Sequence, residues 1–153
     1  MQTDAPMIRI SIGEQRLDLL VGEEVLATYP VSTSRFGLGS EEGSFKTPLG
    51  RFRIGEKIGA EMPIGTIFRG RVPLAAEDLL PPSEDLITSR ILWLDGLEPA
   101  NANTRDRFIY IHGTRHEELV GQPASHGCVR MRNADIVALF DQVPVGAEVR
   151  IES

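Results

Sequence analysis

Apolar and polar residues alternate along "MIRISI" (7–12), and short apolar or alternating runs follow in "RLDLLV" (16–21) and "EEVLATYPVS" (23–32). A period of two puts every other side chain on one face of an extended chain, and Gly13-Glu14 and Gly22 supply the breaks. The first third reads as a three-stranded meander. Residues 35–50, "RFGLGSEEGSFKTPLG", are glycine-rich loop chemistry, after which "RFRIGEKI" (51–58) resumes strand alternation. "RILWLDG" (90–96) and "DRFIYIHG" (106–113) read as two buried strands joined by the polar "LEPANANTR". His112 then falls at the C-terminal end of a strand, and Trp93 and Phe108 read as core residues.

Helical signals are fewer. A short helix around 75–80 would stop before Pro81-Pro82. Asn133 is a candidate cap for a helix whose apolar positions Ile136, Leu139, Phe140 and Val143 follow helical spacing, with Asp135 favourable in its first turn. Pro144 and Gly146 end it, and "AEVRIES" closes as a strand. The expected fold is mainly β, a sandwich or open barrel with one or two short helices. The expected division is an N-terminal extension over 1–7 and one domain over 8–151.

Composition narrows the partners. The 153 residues carry a net charge of −6, and no apolar run approaches the ~18–20 residues of a membrane span, so neither nucleic acid nor a membrane is the expected partner. A small molecule or another protein is. One cysteine cannot make an internal disulfide. The start, "MQTDAPMIRI", has no basic n-region or apolar h-region, so the expected location is the cytoplasm, or the periplasm if a leader has been removed.

The chemistry gathers in one place. His112, His116, His126 and Cys128 are all the histidines and cysteine of the chain, within 17 consecutive positions. A thiol with an ordinary pKa of ~8.5 is only slightly ionised at neutral pH, so a nucleophilic cysteine needs a base or cation beside it. His112, sixteen positions upstream, could be that base, its second ring nitrogen oriented by a backbone carbonyl such as that of Gly113. Gly127 leaves room for a substrate carbonyl next to the sulfur, and neighbouring N–H groups could form an oxyanion hole. Replacing Gly127 by valine is expected to slow acylation while the fold survives.

"IHGT" (111–114) followed by "SHGCVRM" (125–131) resembles the signature of the L,D-transpeptidase catalytic domain, the YkuD family. "YPVSTS" (29–34), "GSFKTPLGRFRI" (43–54) and the opening meander fit the same resemblance, which covers roughly residues 8–151. The resemblance implies cysteine-dependent acyl transfer at the L,D bond of a peptidoglycan stem tetrapeptide, with no cofactor. It makes Cys128 the acylated nucleophile, His112 its base, the Gly113 carbonyl the orienter, and Gly127 and Cys128 the oxyanion N–H donors. Ser125, His126 and Arg130 match positions that shape the pocket or hold a substrate carboxylate. Thr47-Pro48-Leu49-Gly50 matches a turn that reads as structural. Carbapenem-type inhibitors are expected to acylate Cys128.

The absence of a visible leader favours an L,D-carboxypeptidase that releases D-alanine from soluble muropeptides in murein recycling. The alternative is a periplasmic transpeptidase that forms cross-links or exchanges D-amino acids. Blander readings stay beside these. Cys128 could be a buried thiol, His126 a bonded loop histidine, His116 a surface residue, and Arg130 half of a structural salt bridge. His112, His116, His126 and Cys128 also offer the donor types of a zinc module, and a catalytically dead binding module is a third class.

Overall fold

The computed structural model describes residues 5–69, 71–73 and 86–153. Among the described residues ten strands form one sheet: β1 (Pro6–Ser11), β2 (Arg16–Val21), β3 (Glu24–Pro30), β4 (Gly50–Ile58), β5 (Ile67–Arg69), β6 (Val72–Pro73), β7 (Ile87–Gly96), β8 (Tyr110–Thr114), β9 (Val129–Met131) and β10 (Glu148–Glu152). The order is β3-β2-β1-β10-β4-β7-β5-β6, with β8 paired to β7 and β9 to β8. The opening meander is present as expected, and its first strand is joined by the last strand, β10, in parallel. The fold is an open, mainly β sheet, with one α-helix among the described residues, α1 (Asn133–Gln142). The expected helix around 75–80 lies outside the described residues.

Along β7 alternate side chains enter two different cores. Leu92 and Leu94 join the main core with Ile8, Phe52, Ile111, Val129 and the α1 residues Ile136, Leu139 and Phe140. Ile91 and Trp93 face the other way, into a smaller cluster with Phe68 and Tyr110, against which Cys128 packs. A strand covered on both sides needs a near-continuous apolar run, which is what "ILWL" supplies. The second cluster is the floor of the candidate site.

Three local expectations change. "DRFIYIHG" enters the sheet only at Tyr110. Phe108 precedes it at φ +56° and is 51% exposed, so it is no core residue. Asn133 is the first helical residue rather than the cap, which is Arg132 with no side-chain bond. The helix N-terminus is closed by Glu117, whose Oε2 accepts the Asn133 N–H at 2.7 Å. The Asn133 amide also donates to Glu117 Oε2, at 3.2 Å, and reaches neighbouring strands as well.

Candidate active site

Two parallel strands build the site. β8 and β9 pair with Ile111 opposite Val129, His112 opposite Arg130 and Gly113 opposite Met131. Extending the register by one sets Tyr110 opposite Cys128, and the Tyr110 N–H reaches Sγ at 3.3 Å. Residues two apart share a face, so Tyr110, His112, Cys128 and Arg130 project together while Ile111, Val129 and Met131 enter the main core. His112 and Cys128 are diagonal neighbours on that face, a separation long side chains bridge. The sixteen-residue gap in sequence closes through pairing alone.

His112 is buried and its Nδ1 lies 2.6 Å from the Gly113 carbonyl. A carbonyl oxygen only accepts, so Nδ1 carries the proton and, in the neutral ring, Nε2 holds the lone pair. The Gly113 carbonyl thus holds the ring in this orientation. Gly113 itself has no room for a side chain: a Cβ there would lie 2.6 Å from the Thr88 carbonyl oxygen and 2.7 Å from Asn133 Oδ1. That Oδ1 accepts from Thr88 Oγ1 at 2.5 Å and Ser89 Oγ at 2.6 Å, while Asn133 Nδ2 donates to the Thr114 carbonyl at 3.0 Å. Asn133 therefore ties α1 to both strands beside the imidazole.

Around the sulfur the backbone does most of the holding. The Cys128 thiol donates to the Phe108 carbonyl at 3.3 Å, an acceptor created by the left-handed turn at Phe108. Ser125 Oγ donates to the Cys128 carbonyl at 2.6 Å and accepts the Gly127 N–H at 3.3 Å. Gly127 therefore does not present its N–H as an oxyanion donor: Ser125 has taken it. Gly127 stands at φ +124°, and a Cβ there would press to 3.3 Å on the Lys46 carbonyl oxygen. Its glycine identity is needed for backbone shape as well as access, so survival of the fold in Gly127→Val is no longer the expectation.

The loop 31–35 locks the cysteine segment from the other side. Ser32 and Arg130 exchange backbone hydrogen bonds at 2.9 and 2.8 Å, and Thr33 and Ser125 are joined at 2.9 Å. Thr47 Oγ1 accepts the Ser34 N–H at 2.9 Å and donates to the Gly127 carbonyl at 3.0 Å. Thr47, the first residue of the "TPLG" turn, thereby reaches the loop that carries Cys128.

The remaining candidates separate. His126 stands between Phe36 and Phe45, ring centroids 5.9 and 6.0 Å away, and lines a cleft of about 120 Å³ with Phe45, Arg107 and Ile109. Arg130 is only 3% exposed, which removes its guanidinium from the open surface. His116 is half-buried beside Glu118 at 3.5 Å, at the start of a 3-10 turn. Among the described residues no cluster of three or more His, Cys, Asp or Glu side chains is placed to hold a metal ion, so the zinc reading lacks a donor set.

Two arginines and a tyrosine escaped the sequence reading. Arg107 donates to the Lys46 carbonyl at 2.7 Å, holding the 39–46 loop; burial pushes its guanidinium below the ordinary range, while the nearby Cys128, Glu41 and Glu42 pull it back up. Arg71 Nη1 donates to the Tyr110 hydroxyl at 3.1 Å. Burial raises the Tyr110 phenol, partly offset by Arg71. Period-two alternation back from His112 was the signal for Tyr110; for the arginines no local signal existed.

The sheet thus sets a histidine and a cysteine on one face of adjoining parallel strands, with the imidazole held by the next carbonyl. Residues 5–151 match the model of the L,D-transpeptidase catalytic domain, YkuD, and the chain belongs to that family. It is 27% identical over 144 residues to the putative L,D-transpeptidase YkuD of Bacillus subtilis, covering 94% of this chain and 64% of that one. Over 48 residues, 31% of this chain and 27% of the relative, it is 50% identical to the putative L,D-transpeptidase YqjB of the same organism. An L,D-transpeptidase from Mycobacterium smegmatis superposes with a TM-score of 0.65 at 18% identity, covering 99% of this chain and 59% of the other. The L,D-transpeptidase LdtMt1 in complex with imipenem gives 0.60 at 21%, covering 97% and 59%. The chain thus spans less than two thirds of the length of each of these four proteins.

Proposed function

We propose that this domain catalyses cysteine-dependent acyl transfer at the L,D peptide bond of peptidoglycan stem tetrapeptides, with Cys128 as nucleophile and His112 as base. The observation that carries the reading is the 2.6 Å contact of His112 Nδ1 with the Gly113 carbonyl, which makes Nε2 the basic nitrogen on the face it shares with Cys128. The thiol proton passes to Nε2 as Sγ attacks the carbonyl carbon. The tetrahedral intermediate collapses with cleavage of the C–N bond, and the amine of D-alanine leaves with the proton from His112. The Cys128 N–H stabilises the oxyanion, the Gly127 N–H being held by Ser125.

The acyl acceptor in this reading is water, whose proton passes to the same Nε2 as the thioester breaks and Sγ is restored. The activity is then L,D-carboxypeptidase, trimming tetrapeptide to tripeptide. Mass spectrometry of a disaccharide-tetrapeptide incubated with the protein tests it. The expected product is disaccharide-tripeptide with free D-alanine. Cross-linked or D-amino-acid-exchanged products in its place would make an amine the acceptor, and an unchanged substrate would remove the reading. Solved neighbours in complex with imipenem and with a faropenem-derived adduct support the reading that β-lactams, carbapenems among them, acylate Cys128.

A further inference from the structure

Arg71 is held in an unusual way. Its guanidinium carbon lies 4.6 Å from the Trp93 ring centroid and 5.3 Å from that of Phe108, and Nη1 donates to the Tyr110 hydroxyl at 3.1 Å. These residues also surround the nucleophile. Tyr110 donates its N–H to Sγ, Phe108 offers the carbonyl that accepts the thiol, and Trp93 is paired with Tyr110 across β7 and β8. The cation is tied directly to the walls of the cysteine site.

Neighbouring guanidiniums are already committed. Arg105, 4.2 Å from the Trp93 ring centroid, is neutralised by Asp95 at 3.2 Å and Glu56 at 2.9 Å. Arg107 is spent on loop carbonyls, and Arg130 is buried. Arg71 is exposed, and among the described residues no carboxylate pairs with it. Aromatic contact fixes a guanidinium while leaving in-plane donors unused, and those donors suit a carboxylate in bidentate geometry. Fixing the plane beforehand removes part of the ordering cost of binding.

We infer that Arg71 is a substrate-carboxylate receptor that selects anionic stem peptides for attack by Cys128. The inference rests on the stem-peptide reading above. It takes the role from Arg130, which resemblance had offered for it. Two carboxylates of a stem tetrapeptide flank the scissile bond: the α-carboxylate of the terminal D-residue and the side-chain carboxylate of a diaminopimelate third residue. The shared chemistry is a carboxylate within reach of the thioester-forming carbonyl.

The test measures kcat/KM for release of the terminal residue from three tetrapeptides: the free acid, its C-terminal amide, and the free acid with the diaminopimelate side-chain carboxylate amidated. Wild type, Arg71→Gln and Arg71→Lys are compared, with iodoacetamide alkylation of Cys128 as a check that each variant keeps its nucleophile. Wild type is expected to prefer the free acid over one of the amides by about tenfold or more, the range for a charge-assisted pair. Arg71→Gln should bring that ratio to about one, and Arg71→Lys should restore part of it; the amide that matters identifies the carboxylate. A wild type that treats all three alike, or an Arg71→Gln variant that keeps the preference, overturns the inference while leaving the stem-peptide reading intact. A wild type that alkylates normally but cleaves none of the three overturns both.

Discussion

Gly113 shows how little freedom one position has. Its carbonyl orients His112, and its missing Cβ admits the Thr88 carbonyl and the Asn133 amide. Gly113→Ala should force β8 away from β7, costing about 1–3 kcal/mol as overpacking does, and should slow acylation of Cys128 more than the lost stability explains. Thermal melting with carbapenem acylation rates on the same preparation checks this; unchanged melting would show that the contact yields. The motif and the chemistry of a thiolate point to His112, Gly113 and Cys128 in the sequence, and the pairing of β8 with β9 brings the three together. The sequence could not show that Ser125 occupies the Gly127 N–H, since that depends on a loop closing on itself.

At the scale of elements, the site depends on segments that sequence separates widely. The turn at Thr47 bonds the Gly127 carbonyl, eighty positions away. Thr47→Val keeps the shape but leaves the Gly127 carbonyl and the Ser34 N–H without this buried partner, which costs about 1–3 kcal/mol. The expected outcome is a lower melting temperature and slower acylation together, and the serine variant should recover both. On the opposite side β7 bulges between Thr88 and Ile91, with Ser89 at φ +70° and its hydroxyl on Asn133. Period-two reading recovers strands with regular alternation, such as β1 and β4. It overextends the strand leading to His112, because the left-handed turn at Phe108 carries no glycine to announce it.

For the molecule as a whole, the meander that flanks the site contains a buried carboxylate. Asp18 on β2 lies between Arg9 of β1 and Thr28 of β3, bonded at 3.0 and 2.9 Å, with Arg16 at 3.3 Å. Burial alone would raise its carboxyl, but the bonds to Arg9 and Thr28 and the charges of Arg16 and Arg9 hold it below the ordinary range. A carboxylate with a depressed folded value stabilises the fold above its unfolded value of about 3.9 and loses that contribution as pH falls through the folded value. Melting temperatures of wild type and Asp18→Asn should therefore differ most at neutral pH and converge below about pH 3.9; a difference that stays constant with pH would show that the charge contributes nothing. Overall topology was only partly legible. The mainly β class follows from alternation, whereas the parallel β1/β10 and β8/β9 pairings join residues far apart in sequence and leave no local trace.

In the proposed function the face shared by β8 and β9 makes Cys128 the acylated nucleophile, with His112 as its base. Intact-mass measurement after incubation with imipenem, followed by peptide mapping, tests it most directly, run on wild type, Cys128→Ala and His112→Ala. One adduct per chain on Cys128 is expected in wild type, none in Cys128→Ala, and acylation slowed by about a hundredfold or more in His112→Ala, the usual contribution of a general base. An adduct mapped to another residue, or His112→Ala acylating at the wild-type rate, would contradict it.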